Sequence, residues 1–480
     1  MKNTTALFYL DDPLFPSLAV AVDAQRMARY FEGLLSAPGE WRLTACRLER
    51  LRYRRATRCI LHYEINLRRH ADGAEQVVWL MAYLYADQKK LRSRQRRLDM
   101  LGAAHDEQIP MPRYAFLDEL AILVTRFPTD HALPALCKIT ADLPGLFGSR
   151  CAAVFGAEEW RMLDMSLEPV RWRAGLSAVM RARVRGEQQS GEQAERRFYV
   201  KVYAPASAGL VAPPGYAPAP APPFKKVVDT VFHDAIGGIE IQRAATGTPL
   251  LSLLMQQCAD HGEAVRLATA LADWHLSDAI LKRRLSLIDL TAAMERVAHT
   301  LSAALPYLHD TVAATLNRIR QTWTESVFVP AHLDLKPDHI FFAAGDVTFI
   351  DLESAANADP MLDLAHLLAR LHYAQALYQV PDRHARQFAA HVYESYRGQV
   401  PRGWLGNLLC CYAWSLLQIA ANVFEHQRPG WAAWVYQLAH TAAAMDLANP
   451  NAFTRLLEAE TELHTPYPPL TNRLAMEIRP

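Results

Sequence analysis

Two aspartates set in apolar surroundings place the strongest constraint on what this chain can fold into. The stretch Ala331–Phe342 reads AHLDLKPDHIFF, with strand-like apolar runs at Val327–Val329 and Ile340–Phe342. Asp334 therefore falls on a short loop between buried strands, a rigid mount from which a carboxylate can face a cleft. A further apolar run, Val347–Ile350, ends directly in Asp351. Carboxylates on adjacent strand–loop junctions can divide labour: one orients a hydroxyl while the other holds a divalent cation on phosphate groups. An H-x-D triplet alone carries little information. The pair of loops carries much more.

The rest of the chain narrows the setting. Its 480 residues leave room for two or three domains and a substantial core. Lys plus Arg (51) nearly cancels Asp plus Glu (50), so no global charge calls for a nucleic-acid or membrane partner. The seven cysteines, at 46, 59, 137, 151, 258, 410 and 411, show no paired-ligand spacing, which fits reduced thiols in the cytoplasm. Acidic residues interrupt the N-terminal MKNTTALFYLDDPLF, so no signal peptide is expected. No apolar run is expected to reach the roughly 18 to 20 residues of a spanning helix.

Along the chain, an amphipathic helix around Asp23–Leu35 precedes three alternating, strand-like stretches, Leu48–Tyr53, Cys59–Leu67 and Val77–Tyr85. A basic helical stretch, Lys89–Arg97, and another strand, Leu120–Arg126, follow; the basic run reads best as a solvated helix face. The pattern then recurs. Leu48–Arg54 matches Leu167–Arg173, Tyr83–Ala86 matches Lys201–Ala204, and the strand ending at Arg126 matches the one ending at Arg243. Three matches in the same order suggest a duplicated unit of strand, strand, strand, helix, strand; chance similarity of arginine-rich strands is the competing explanation. In the second copy the helix position is taken by Ala204–Phe224, whose proline density forbids a helix. From Leu251 onward the pattern is helical, with candidates at Ala264–His275, Ile288–Leu305, Thr311–Trp323, Met361–Leu371, His384–Tyr396, Trp404–Phe424 and Trp431–Leu447.

With a β-rich stretch, a helical stretch, HLDLKPDH and then FIDLESAANADPMLDLAHLLARL, the chain resembles the aminoglycoside phosphotransferase and choline kinase family. The resemblance rests chiefly on Asp351–Arg370, where the second aspartate is followed closely by a D-P-x-x-D-L-A stretch and no long activation segment ending in Ala-Pro-Glu is visible. It implies an α+β, protein-kinase-like bilobal fold: a small antiparallel β lobe and a mostly helical large lobe, preceded here by a degenerate repeat of the small lobe. The expected domains are a degenerate small-lobe-like unit at 1–150, a nucleotide-binding small lobe at 151–250 and a helical large lobe with the catalytic loop at 251–480.

The same resemblance implies roles. Asp334 would be the catalytic base or hydroxyl-orienting group, and Lys336 would reach the transferred phosphate, or stand exposed and idle. His332 would hold the loop, and Asp363 would be architectural. Asp359-Pro360 reads as a helix start. Asp351 would hold the metal; Glu353 is a second acid or a solvent-facing one. His339 stands where the family usually has a metal-ligating Asn; imidazole is a poorer ligand for Mg²⁺, so His339 is a weak Mg²⁺ ligand, a preference for Mn²⁺, or packing. Lys201, mid-strand among apolar residues, would bind ATP phosphate. Gly175 and Ser177 would belong to a phosphate-covering loop, while the backbone between Arg243 and Ala245 would face adenine, with Gly247 allowing the turn. No helix glutamate can be nominated to orient Lys201.

The function implied is an ATP- and Mg²⁺-dependent phosphotransferase acting on a hydroxyl of a small polar molecule such as a sugar, aminoglycoside or amino alcohol. The alternative is a catalytically weak or inactive kinase-fold protein that binds a nucleotide or a partner. His339 and the missing helix favour the alternative; Asp334, Asp351 and Lys201 oppose it.

Overall fold

The computed structural model describes residues 12–449 and 453, apart from 38, 101–108, 149–153, 156–159, 205–226, 235, 280, 282, 325 and 429. Nearly all of the Pro/Ala-rich stretch and the C-terminal tail thus lie outside the described residues. The chain forms two compact units: 1–207 with 234–240 and 422–431, and 208–233 with 241–421 and 432–480.

The long antiparallel strands lie in the first unit. Strands β1 (Trp41–Arg54), β2 (Arg58–Arg69), β3 (Glu75–Tyr85), β4 (Tyr114–Leu117) and β5 (Ile122–Arg126) form a sheet of order β1-β2-β3-β5-β4. Strands β6 (Trp160–Arg173), β7 (Ser177–Gln188), β8 (Gln193–Tyr203), β9 (Thr230–Asp234) and β10 (Ile239–Arg243) form another, of order β6-β7-β8-β10-β9. Alternation explains their faces. On β7, Ala178, Met180, Ala182 and Val184 are buried while Arg181, Arg183 and Arg185 alternate with them. Cys59, Leu61, Tyr63, Ile65 and Leu67 do the same on β2. The short strands β4 and β9 fall where no strand was expected, because four or five residues are too few to display a period.

The helix Gln88–Asp99 follows β3 and buries only Leu91 and Leu98, leaving its basic residues mostly exposed. The helix Ala24–Glu32 starts at Asp23, whose carboxylate accepts the Gln25 and Arg26 N–H groups.

The second unit is mostly helical, and its helices fall close to their expected positions: His261–Leu276, Leu287–Ala304, His309–Thr322, Met361–His372, Asp382–Arg397, Leu408–Glu425 and Trp431–Ala444. His261–Leu276 packs against Asp382–Arg397, which packs against Met361–His372. Short strands cross this helical body: β11 (Thr248–Pro249), β13 (Ile340–Phe342) and β14 (Val347–Phe349) form one sheet, and β12 (Val329–Ala331) pairs with β15 (Ala356–Ala358). Against the expectation of no such run, residues 402–425 are long and apolar enough to span a membrane; 89% of that apolar window is buried inside the protein, as in a core helix. The six described cysteines are all unpaired.

Candidate active site

The loop that carries Asp334 is held by the helix Met361–His372. Asp359 accepts the Met361 N–H at 2.8 Å and the Ser326 and Asn407 side-chain donors at 2.7 Å each, which caps the helix start. One turn on, Asp363 is fully buried and accepts the His332 and Leu333 N–H groups, both at 2.6 Å, and the His275 Nε2–H at 3.2 Å. Burial pushes its carboxyl up, but the charge-assisted contacts with His275 and His332 outweigh this and hold it below the ordinary value. These bonds keep Leu333 at φ +64°, a left-handed backbone that costs a branched residue about 1 kcal/mol or more.

His332 links the two aspartate loops. Its Nε2–H donates to the Ile350 carbonyl at 2.8 Å and its Nδ1 accepts the Asp334 N–H at 3.3 Å. Both ring nitrogens are committed, so the ring is a strut. Asp351 sits one residue beyond Ile350, at φ +65°.

One donor atom each from Asp334, His339 and Asp351 lies within 4.8 Å of the other two. His339 is 5% exposed, and burial, with Lys336 nearby, lowers its pKa to about 4 against the pull of Asp338, Asp351 and Asp334. The ring is therefore neutral at neutral pH. Its Nδ1–H donates to the Asp334 carbonyl at 3.0 Å, which leaves the Nε2 lone pair facing Asp351 Oδ2 at 3.4 Å. A lone pair aimed at a carboxylate oxygen is an arrangement that a cation between them stabilises. Two carboxylates and a neutral imidazole fit a divalent ion, with the nitrogen shifting preference away from Mg²⁺ and towards softer ions such as Mn²⁺.

Lys336 is not an idle surface residue. Its Nζ lies 3.1 Å from Asp334 Oδ2 and its side chain is only 14% exposed. Burial opposes ionisation of Asp334, but Lys336, His339, His366 and Arg370 outweigh it and hold the carboxyl far below the usual carboxylate range. His366 and Arg370 escaped the sequence reading. They lie on the helix Met361–His372, spaced i and i+4, with Arg370 Nε donating to His366 Nε2 at 2.9 Å and its Nη1 to Tyr378 Oη at 3.0 Å. An Arg on a mostly apolar helix was the available signal.

The residues assigned to nucleotide binding divide between the units. Lys201 lies on β8 in the first unit, 6% exposed and opposite Val179 of β7. Gly175 sits at φ +71° in the turn between β6 and β7. Its N–H donates to Asp130 Oδ2 at 2.6 Å, and the Trp172 Nε1–H reaches the same oxygen at 3.3 Å. The Gly175 amide is therefore committed within the protein. Ser177, 8% exposed, is the first residue of β7. In the second unit the Arg243 N–H donates to the Asp229 carbonyl at 2.9 Å and so is likewise committed. Ala245 follows in the link to β11, half-buried. Gly247 has φ +93°, and a Cβ there would lie 2.0 Å from the Phe342 carbonyl oxygen, so only glycine fits.

Residues 171–398 match the family model described as the phosphotransferase enzyme family. Among solved structures, the choline kinase LicA from Streptococcus pneumoniae aligns with TM-score 0.43 and 14% identity over 64% of this chain and 99% of its own. The Plasmodium vivax ethanolamine kinase gives 0.40 and 13% over 65% and 89%, and the aminoglycoside phosphotransferase APH(4)-Ia gives 0.41 and 13% over 63% and 98%. No curated protein matches the chain.

Proposed function

We propose, from the match of residues 171–398 to the model of the phosphotransferase enzyme family, that this chain, of the α+β, protein-kinase-like fold, transfers the γ-phosphoryl of ATP to a hydroxyl of a small polar molecule. The observation that carries the reading is the convergence of Asp334, His339 and Asp351 around one point, on a loop that Asp363 and His332 hold rigid. A divalent ion held there would neutralise the charge of the transferred phosphoryl group. Asp334 stays ionised near neutral pH, so it orients the acceptor hydroxyl and takes up its proton as the phosphoryl group leaves ATP. Lys336, already on the Asp334 carboxylate, would shift its ammonium to the phosphate as negative charge builds there. Lys201 binds the nucleotide phosphates in this reading, and the sheet β1–β5, with Tyr83 at the corresponding place, takes no part in nucleotide chemistry. The unpaired cysteines suit a cytoplasmic setting.

Replacing Asp334 with Asn tests this. MgATP turnover should fall by about 10²–10⁴-fold while MgATP binding, read by thermal shift, is retained. Unchanged turnover would sink the proposal. The Lys336–Asp334 pairing and the imidazole of His339 favour a second reading, a nucleotide-binding protein without turnover. That reading requires MgATP to bind the unaltered protein while no acceptor hydroxyl is phosphorylated across a panel of sugars, amino alcohols and aminoglycosides.

A further inference from the structure

The Pro/Ala-rich stretch that follows the strand of Lys201 in the sequence holds no glutamate, so a counter-charge for the lysine comes from elsewhere. We propose that Glu240, on the neighbouring strand β10, is that counter-charge and positions the Lys201 ammonium; the inference rests on the phosphotransferase reading for its catalytic consequence but not for the contact itself.

Register carries the argument. In the sheet order, β10 lies beside β8. The Tyr203 N–H donates to the Gly238 carbonyl at 2.7 Å, which makes Tyr203 and Gly238 an opposed pair of antiparallel neighbours. Two steps back along β8 is Lys201 and two steps forward along β10 is Glu240, so these two stand directly opposite each other on one face. The other sheet supports the same register: there β3 and β5 pair Tyr83 with Leu123. Tyr83 and Lys201 are each the third residue from the ends of β3 and β8, and Leu123 and Glu240 are each the second residue of β5 and β10. Directly opposed residues have Cβ atoms about 4.5–5.5 Å apart, within reach of a lysine–glutamate contact.

Burial and chemistry agree. Lys201 is 6% and Glu240 5% exposed, and charges so deeply buried persist only when paired. The Tyr203 Oη–H donates to Glu240 Oε2 at 3.3 Å, which steadies the carboxylate from the same face. Where the first sheet has Tyr83 in place of the lysine, it has Leu123 in place of the glutamate. The two charges are present together in one sheet and absent together in the other. A lysine so placed keeps one rotamer, which is what contact with a phosphate requires.

The test uses the full chain. In a double-mutant cycle on melting temperature, Lys201→Met and Glu240→Leu should each lower Tm, and the double variant should melt well above the sum of the two losses, because it restores an uncharged pair. Additive losses would overturn the pairing. For the positioning role, Glu240→Gln should lower kcat for MgATP turnover by about 10²-fold with a smaller change in KM, and Glu240→Asp should recover part of it. Wild-type kcat in Glu240→Gln, with Asp334→Asn and Lys201→Met both inactive, overturns the inference and leaves the phosphotransferase reading intact. Full turnover in Asp334→Asn and Lys201→Met sinks that reading, and the melting cycle still decides the pair.

Discussion

The two long-stranded sheets are laid out alike, and the turns that join their first two strands make the comparison sharpest. In the turn between β1 and β2, Ala56 at φ +53° donates its N–H to Asp12 Oδ2 at 3.2 Å, and the Tyr53 Oη–H reaches the same oxygen at 2.7 Å. In the turn between β6 and β7, Gly175 and Trp172 make the corresponding bonds to Asp130. Each aspartate also closes its own turn, Asp12 on the Leu14 N–H and Asp130 on the Ala132 N–H, both at 3.0 Å. The strand lengths match as well, 14, 12 and 11 residues in each sheet.

What differs is the charge set on this common frame. The second sheet carries Lys201 and Glu240 where the first carries Tyr83 and Leu123. The helix after β3 instead sends in Arg94, whose guanidinium lies 3.9 Å over the Tyr83 ring, donates to Tyr83 Oη at 2.9 Å and meets Asp130 at 3.5 Å. A cation in the first sheet is thus neutralised within the protein by the very carboxylate that fastens the Gly175 turn. A backbone frame is held by its hydrogen bonds and tolerates either set. Only the side chains decide which sheet carries a buried ammonium.

The largest effect expected from breaking this contrast is on Lys201. Lys201→Tyr, which copies the first sheet, should lower MgATP turnover by about 10²–10³-fold, whereas Tyr83→Phe should leave it within about twofold; steady-state kinetics on both variants decides. Next comes the pair of fastening aspartates. Asp130→Ala strands Arg94 and three N–H donors, and should cost about 3–5 kcal/mol in urea unfolding and raise KM for ATP. Asp12→Ala, which strands no cation, should cost about 1–3 kcal/mol and leave KM unchanged. Equal changes in KM would show that the turns are not functionally distinct.

A smaller difference lies in pH. His62 on β2 is 7% exposed, and burial together with Arg50 lowers its pKa from 6.5 to about 3. The unfolded chain binds the proton more readily, so this group's stabilisation is complete above pH 6.5 and is lost as the pH falls towards 3. His372 and His366, both at about 3, act in the same direction. The corresponding residue of β7 is Arg181, paired with Glu168 at 2.6 Å. Melting curves from pH 7 to 4 should therefore show a fall that His62→Gln makes shallower by at most about 1.4 kcal/mol per pH unit. The smallest effect is at the turn itself. Gly175→Ala should cost about 1–2 kcal/mol for its left-handed backbone, with no steric penalty because its nearest atom stands 3.6 Å away.

Much of this was legible in the residues alone. Period-2 and period-3.6 patterns placed the long strands and the helices, because burial on one face writes itself into the sequence. The loop from His332 to His339 and the strand ending in Asp351 were readable because their polar residues stand out against apolar flanks. The aspartate that fastens the Gly175 turn was not singled out, although D-x-x-F-P-x-L at Asp12–Leu18 and D-x-x-L-P-x-L at Asp130–Leu136 repeat in the text of the chain. Its partners lie more than forty residues away, |i−j| being 45 for Gly175 and 42 for Trp172, and no local pattern announces so distant a bond.

By itself, then, the sequence determined the long strands, the helices and the loops that carry Asp334 and Asp351, since those depend on neighbours in the chain. Tertiary structure decided which polar groups meet. It turned the His339 lone pair towards Asp351, set His366 and Arg370 behind Asp334, and spent the Gly175 amide on Asp130. The physical reason is that a buried charge or donor must find a partner in space, and only the folded chain says who is near.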